Sequence, residues 1–402
     1  MIHRTITFDK ASKDQESQDA RLVSPRLAYV YSDDFLKYDF GPDHPLTPIR
    51  LKLTYELSHA KGLIDDRNII VIPPRVATEE EVRLFHTEEY VDLVKRKSKE
   101  GHGLLDLGDT PAFKGVYEAS AMTVGATLEA VDAVMKGEAE HGMNISGGLH
   151  HAHEDRASGF CVFNDPAVAI AYLKKKYHLE RIMYFDMDAH HGDGVMYGFY
   201  NDAGVLDVDL HEDGRYLFPG TGFTFETGEK GAEGLKINIP VPPGTGDDPY
   251  LTGFREIVPP LVRAYKPEFI IVQCGADSHA DDMLAHLRLT TRTYEEIITT
   301  LHRLAHDVAS GRIVAIGGGG YNPANVARCW TIIAASLLEV HPSNEVPDEW
   351  KNSLRKTTGL SPPMTLRSEP SKNDNPKTGM EQVLKNIEDL RKRIPLLGRH
   401  SS

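Results

Sequence analysis

The run Tyr184-Phe-Asp-Met-Asp-Ala-His-His-Gly-Asp-Gly194 packs three aspartates and two histidines into eight residues, directly after an apolar segment. Residues 181–188 alternate and are rich in apolar and aromatic side chains, which predicts a buried strand, and Gly192 and Gly194 mark the turn after it. Along a strand, side chains two residues apart share a face. Asp188 and His190 are therefore expected to converge on one ion, with Asp186 one step behind as support. The stretch reads as a metal site at a strand end.

Three more short apolar runs close on chemically capable residues: Ser146-Gly-Gly-Leu-His-His-Ala152, Gln273-Cys-Gly-Ala-Asp277 and Gly317-Gly-Gly-Gly-Tyr321. In an open α/β sheet, ligands bind outside the carboxyl ends of the strands, so four such ends imply one shared crevice. Strand-like runs at 27–31, 68–72, 181–185, 205–210, 235–239, 269–273 and 312–316 alternate with helix-like runs such as 115–136, 166–177, 294–308 and 324–340. That alternation predicts a parallel sheet covered by helices on both faces.

The chain of 402 residues reads as one large catalytic unit, 27–360, with an N-terminal extension, 1–26, and a C-terminal tail, 361–402. Residues 9–20 and 361–378 are polar and poor in apolar content, which predicts mobility, whereas 381–393 carries a helical pattern with a basic end. Net charge is −14; eight Lys/Arg against five Asp/Glu from residue 366 onward leave about −17 on the body, which argues against nucleic acid as a direct partner. With no stretch of the roughly 18 apolar residues that a membrane span needs, and no signal pattern, the expected location is cytoplasmic and off the membrane. Cys161, Cys274 and Cys329 form no Cys-x-x-Cys pair and are expected to be reduced, buried thiols.

From about residue 27 to 340 the chain resembles the arginase-fold deacetylases, that is, the histone deacetylases and their bacterial acetoin-utilisation relatives. Five blocks in order carry the resemblance: the tandem histidines with Gly159-Phe160 behind them, Asp-x-Asp-x-His-His-Gly-Asp-Gly, Phe218-Pro-Gly-Thr-Gly222, Gly-Ala-Asp277, and the glycine run ending in Tyr321 and continuing to Ala327-Arg-Cys-Trp330. The early segment Tyr38-Asp-Phe-Gly-Pro-Asp-His-Pro-Leu-Thr-Pro-Ile-Arg50 looks most like the acetoin-utilisation branch. The resemblance implies an α/β fold with one three-layer domain built on an eight-stranded, mainly parallel sheet.

It also implies roles. Asp188, His190 and Asp277 match the metal ligands. Two carboxylates and an imidazole with an open position suit a hydrolytic Zn²⁺, and ligand type alone also allows Fe²⁺, Co²⁺ or Mn²⁺. His150 pairs with Asp186 and His151 with Asp193, with His151 as general base and then acid, and His150 as electrostatic support. Tyr321 donates to the oxyanion. Phe160 and Phe218, beside Gly159, match the walls of an acyl-lysine tunnel also lined by Leu284. Asp109 matches a rim residue that holds substrate amides, and Arg50 a cavity residue on the acetate exit. The implied reaction removes acetyl groups from lysines of proteins or peptides, and the acetoin-utilisation branch points to metabolic enzymes such as an acetyl-CoA synthetase. An acetylpolyamine amidohydrolase of the same fold and a non-catalytic scaffold are the alternatives.

One position departs from the pattern. Relatives hold K⁺ or Na⁺ under the site by residues matching Asp186, Asp188 and His190 and by a small hydroxyl residue with the next carbonyl. Here Asp209-Leu210 stands in that last place. A buried extra carboxylate needs a cation, a proton or an arginine beside it.

Overall fold

The computed structural model describes residues 26–65, 67–106, 108–372 and 374–400, so residues 1–25 of the expected extension lie outside the described residues. Eight short apolar runs form strands: β1 Leu27–Val30, β2 Ile69–Ile72, β3 His141–Asn144, β4 Ile182–Asp186, β5 Val205–Glu212, β6 Lys236–Val241, β7 Phe269–Gln273 and β8 Ile313–Ile316. They pair in the order β2-β1-β3-β8-β7-β4-β5-β6, and every pairing is parallel. Helices on both faces explain why β4 and β7 read as unbroken apolar runs: Ile182 to Phe185 and Phe269 to Val272 are all fully buried.

Strand order positions the site. β3, β8, β7 and β4 are consecutive neighbours although they are scattered through the chain, so the four motif-bearing ends stand side by side on one rim. Among the described residues, no helix is long and apolar enough to cross a membrane.

The two edge strands differ. β2 leaves Ile70 and Val71 partly exposed, whereas β6 is covered by the helix Met380–Arg393, whose Asn386 Nδ2 donates to the Pro240 carbonyl at 2.6 Å. Pro240 lacks an N–H and is tolerated because β6 is an edge. The tail is held at other points too. Leu366 is fully buried, Ser368 N donates to Thr291 Oγ1 at 2.8 Å, and Arg288 meets Asp374 at 3.0 Å. These contacts tie down part of the 361–378 stretch whose composition predicted mobility; composition reports local cohesion and says nothing of a partner surface on the body.

Candidate active site

β4 stops at Asp186, so strand parity is not what brings Asp188 and His190 together. The chain instead bonds to its own side chains: Asp188 N donates to Asp186 Oδ1 at 3.0 Å, and His190 N donates to Asp188 Oδ1 at 3.0 Å. Each carboxylate accepts the N–H two residues on, as in Asx turns, and the loop folds back on itself. Tyr184 Oη donates to the other oxygen of Asp186 at 2.6 Å.

The loop delivers Asp188 and His190 to Asp277 at the end of β7. His190 Nδ1 lies 3.1 Å from Asp188 Oδ1 and 3.0 Å from Asp277 Oδ2, and one ligand atom from each of the three falls within 4.8 Å of the others. Gly319 N and Gln273 Nε2 each donate to Asp188 Oδ2 at 2.8 Å, and Ala189 N donates to Asp277 Oδ1 at 2.8 Å. Gly319 has to be glycine: a Cβ there would stand 2.0 Å from Asp277 Oδ2. Burial and then the charge of Asp188 push Asp277 up to about 8. Two buried carboxylates against one imidazole call for a further positive charge, and the donor set fits a divalent ion.

The tandem histidines leave β3 on a loop held by Asp165, whose carboxylate accepts from Gly148 N at 3.0 Å, Leu149 N at 2.9 Å and Thr127 Oγ1 at 2.6 Å. Asn164 Nδ2 donates to the carbonyls of His150 and Ala152 at 3.0 and 2.8 Å. His150 Nδ1 lies 2.7 Å from Asp186 Oδ2, His151 Nδ1 lies 2.7 Å from Asp193 Oδ1, and the two Nε2 atoms face each other at 3.0 Å. Burial opposes charge on His150, yet Asp186 and Asp188 outweigh it and raise the ring to about 10. Burial, reinforced by the charge on His150, lowers His151 to about 4 despite Asp193. The two rings are therefore driven in opposite directions, His150 toward its charged form and His151 toward its neutral one.

A narrow cavity opens onto these groups, lined by Arg50, both histidines, Gly159, Phe160, Asp188, His190 and Tyr321 among others. The Tyr321 ring stands 6.0 Å from Phe160 and 6.5 Å from His190, centroid to centroid. Its backbone N–H donates to Asp282 Oδ2 at 2.8 Å, and the other oxygen of Asp282 accepts from Leu284 N at 2.9 Å. Leu284 is thus tied to the Tyr321 segment without lining the cavity. Phe218 packs against His151 at 5.0 Å and, 44% exposed, lies at the mouth, where Gly159 and Asp109 line the adjoining groove. Gly159, at φ 53°, keeps the passage open, since a Cβ would come within 2.5 Å of His151 and 2.9 Å of Phe218. Burial and the neighbouring Asp106 raise Asp109 to about 6. Arg50 donates to the carbonyls of Gly318 and Gly320 at 2.7 and 3.2 Å and lies over Trp330 at 5.2 Å.

Beneath the site, Asp209 pairs across the strands with Asp186 in register. Its partner is not an arginine: His211 Nδ1 lies 2.7 Å from Oδ1, and Gly192 N donates to Oδ2 at 2.6 Å. The Leu210 carbonyl accepts from Tyr250 Oη at 2.7 Å. Burial, and the charge of Asp186 working against His211, raise Asp209 to about 6.

Residues that sequence reading passed over support this machinery. His153 Nε2 reaches Asp193 Oδ2 at 3.2 Å, giving that carboxylate two imidazoles. Gln273, Asp282 and Asp165 hold Asp188, Tyr321 and the tandem loop. The Asn164-Asp165-Pro166 sequence does carry a helix-start signal, with Asn164 Oδ1 accepting from Ala167 N at 2.9 Å, but nothing local says that Asp165 turns back to another loop.

A family model described as the histone deacetylase domain matches residues 44–337. The acetoin utilization protein AcuC of Bacillus subtilis (strain 168) is 43% identical over 331 residues, which cover 80% of this chain and 84% of the relative. The proteins of the same name from Staphylococcus aureus (strain MRSA252) and Staphylococcus xylosus are 39% and 37% identical, covering 82% and 80% of this chain and 86% and 85% of their own. The model spans all five motif blocks, and the site it brackets carries paired imidazole–carboxylate relays beside a divalent-ion donor set: the chain belongs to the histone deacetylase family of metal-dependent hydrolases, in its acetoin-utilisation branch.

Proposed function

We propose that this hydrolase removes the acetyl group from N6-acetyl-lysine side chains of proteins, releasing lysine and acetate. The observation that carries the reading is the pairing of a cationic His150 with a neutral His151 beside Asp188, His190 and Asp277, at the foot of a cavity walled by Phe160. Those three residues would hold the ion, Zn²⁺ by donor type with Fe²⁺ as the alternative, and it would polarise the amide carbonyl and make water nucleophilic near neutral pH.

His151 does the proton work. Its Nδ1–H is directed at Asp193, so its Nε2, which accepts from the His150 Nε2–H at 3.0 Å in the resting site, is the atom that would take a proton from the attacking water and return it to the departing amine. His150 keeps its charge and favours the negative charge that develops on the substrate. The Tyr321 hydroxyl donates to the oxyanion, held in place by the Asp282 bond to its backbone. Gly159, Phe160 and Phe218 select a slender acyl-lysine chain, Asp109 at the rim binds flanking backbone amides, and Arg50 guides acetate away. The protein partners are acetylated cytoplasmic enzymes, with an acetyl-CoA synthetase as the first candidate.

A structural K⁺ or Na⁺ belongs to the same proposal, beside Asp186 and Asp209 and the carbonyls of Asp188, His190 and Leu210. It would share the charge of the two carboxylates with His211.

Assays of the purified enzyme on an acetyl-lysine peptide and an acetylpolyamine, run side by side, test the substrate class. Faster turnover of the polyamine would replace the protein substrate with a small one. No turnover of either by metal-loaded enzyme would leave a binding scaffold.

A further inference from the structure

At the opposite rim of the sheet, away from the catalytic loops, three histidines meet. His141 opens β3 at its N-terminal end, and His302 and His306 stand one turn apart on the helix Thr291–Val308. His141 Nε2 lies 3.0 Å from His302 Nε2, which lies 3.2 Å from His306 Nε2. The rings are mutually near-perpendicular, with interplanar angles of 84°, 87° and 85° and centroids 4.7 to 5.2 Å apart. They enclose one point.

Hydrogen bonding cannot satisfy this arrangement with neutral rings. His141 Nδ1 faces the Gly311 carbonyl at 2.9 Å, so the proton sits on Nδ1 and a lone pair occupies Nε2. His302 Nε2 can send its single proton toward His141 or toward His306. If it serves one, the other contact can be bridged only along a second line, which a neutral ring lacks.

A metal ion resolves all three lone pairs at once. Nitrogens bound tetrahedrally at about 2.0–2.1 Å lie about 3.3 Å apart, close to the contacts seen. Glu140 Oε2 lies 3.9 Å from His141 Nε2, which places a carboxylate within reach of the remaining position. Arg26 is paired with Glu339, to which it donates at 2.8 Å. Gly311 shapes the seat: a Cβ there would press on the His306 ring at 3.0 Å. His141 and His302 are buried while His306 is exposed and lines an open pocket with Glu140, Gly311 and Arg312, which gives an ion a route in.

We propose that His141, His302 and His306 form a second, non-catalytic site for a divalent transition metal of the zinc class, which pins the start of β3 to the helix behind it. The test uses full-length protein stripped with a chelator and titrated with Zn²⁺ alone. Wild type should bind two equivalents, the Asp188→Ala variant one, and the His306→Ala variant one while keeping full deacetylase activity once loaded. For the Asp188→Ala protein, the remaining equivalent should have a Kd below about 1 µM and should raise the thermal midpoint. The double variant Asp188→Ala/His306→Ala should lose both effects. Because His306 is exposed, its replacement leaves the fold intact, and His306→Cys should restore the second equivalent. One equivalent in wild type, a second equivalent that survives His306→Ala, or binding weaker than about 100 µM would overturn the proposal.

Discussion

Replacing His150 by Gln tests the electrostatic division of labour between the two histidines. In the wild type, an imidazolium Nε2 stands 3.0 Å from the Nε2 of the base. Bare Coulomb attraction or repulsion at that distance is about 5 kcal/mol at an effective dielectric of 20. Asp186, 2.7 Å from the far side of the same ring, cancels a large part of it, which leaves an expected shift of about 1–3 pKa units. The sign follows from the role of His151. A base works unprotonated, so activity is lost as pH falls through its pKa, which His150 and burial hold at about 4. Removing the His150 charge raises that pKa, so the acidic limb of kcat/KM should move upward by about 1–3 pH units in His150→Gln. Asp186 keeps its bonds from Tyr184 Oη and Asp188 N, so the loop stays in place. The assay is a pH profile on one acetyl-lysine peptide, with bound metal measured in parallel. An acidic limb that stays put while metal content is unchanged would refute either the charge on His150 or the role of His151.

Tyr321→Phe should lower kcat by about 10²–10³ with little change in KM, because in the proposed mechanism the hydroxyl serves charge present only in the transition state while the ring packing on Phe160 is kept; a loss confined to KM would make it a binding residue. Asp109→Ala should impair peptides far more than a small acyl-lysine analogue. On the proposed role of Asp109 as a carboxylate that binds amides, and with its carboxyl raised to about 6, peptide KM should climb as pH drops below that value in the wild type and not in the variant. His86 and His279, both buried, are lowered to about 3, and His86 Nε2 accepts from Asn164 N at 2.9 Å as a neutral ring. The unfolded chain binds these protons and the native state does not. Stability is therefore complete above about pH 6.5 and falls toward pH 3 by about 1.4 kcal/mol per pH unit for each ring. Urea unfolding at several pH values checks this, and His86→Gln should shallow the slope. Potassium added to protein freed of monovalent ions should raise the thermal midpoint of wild type more than that of Asp209→Ser. Equal responses would mean that His211 alone balances Asp209.

The sequence by itself was enough for the fold class and for placing the polar blocks at strand ends, because both rest on local chemistry. Strands buried on both faces must be apolar throughout, and their ends are where polar residues become possible again. Hence the blocks around His150, Asp188, Asp277 and Tyr321 stood out as strand ends before any neighbour was known. Tertiary structure alone decided which ends meet. β8 lies between β3 and β7 although it is the last strand in the chain, and only that order sets the Tyr321 loop against the tandem histidines. It also decided that Asx turns, not strand parity, converge Asp188 and His190, that Asp209 finds His211, and that Asp165 holds a loop 16 residues upstream. The His141–His302 contact spans 161 residues. Such pairings are set by the packing of whole elements, and the free energy that selects them belongs to surfaces buried far from either residue.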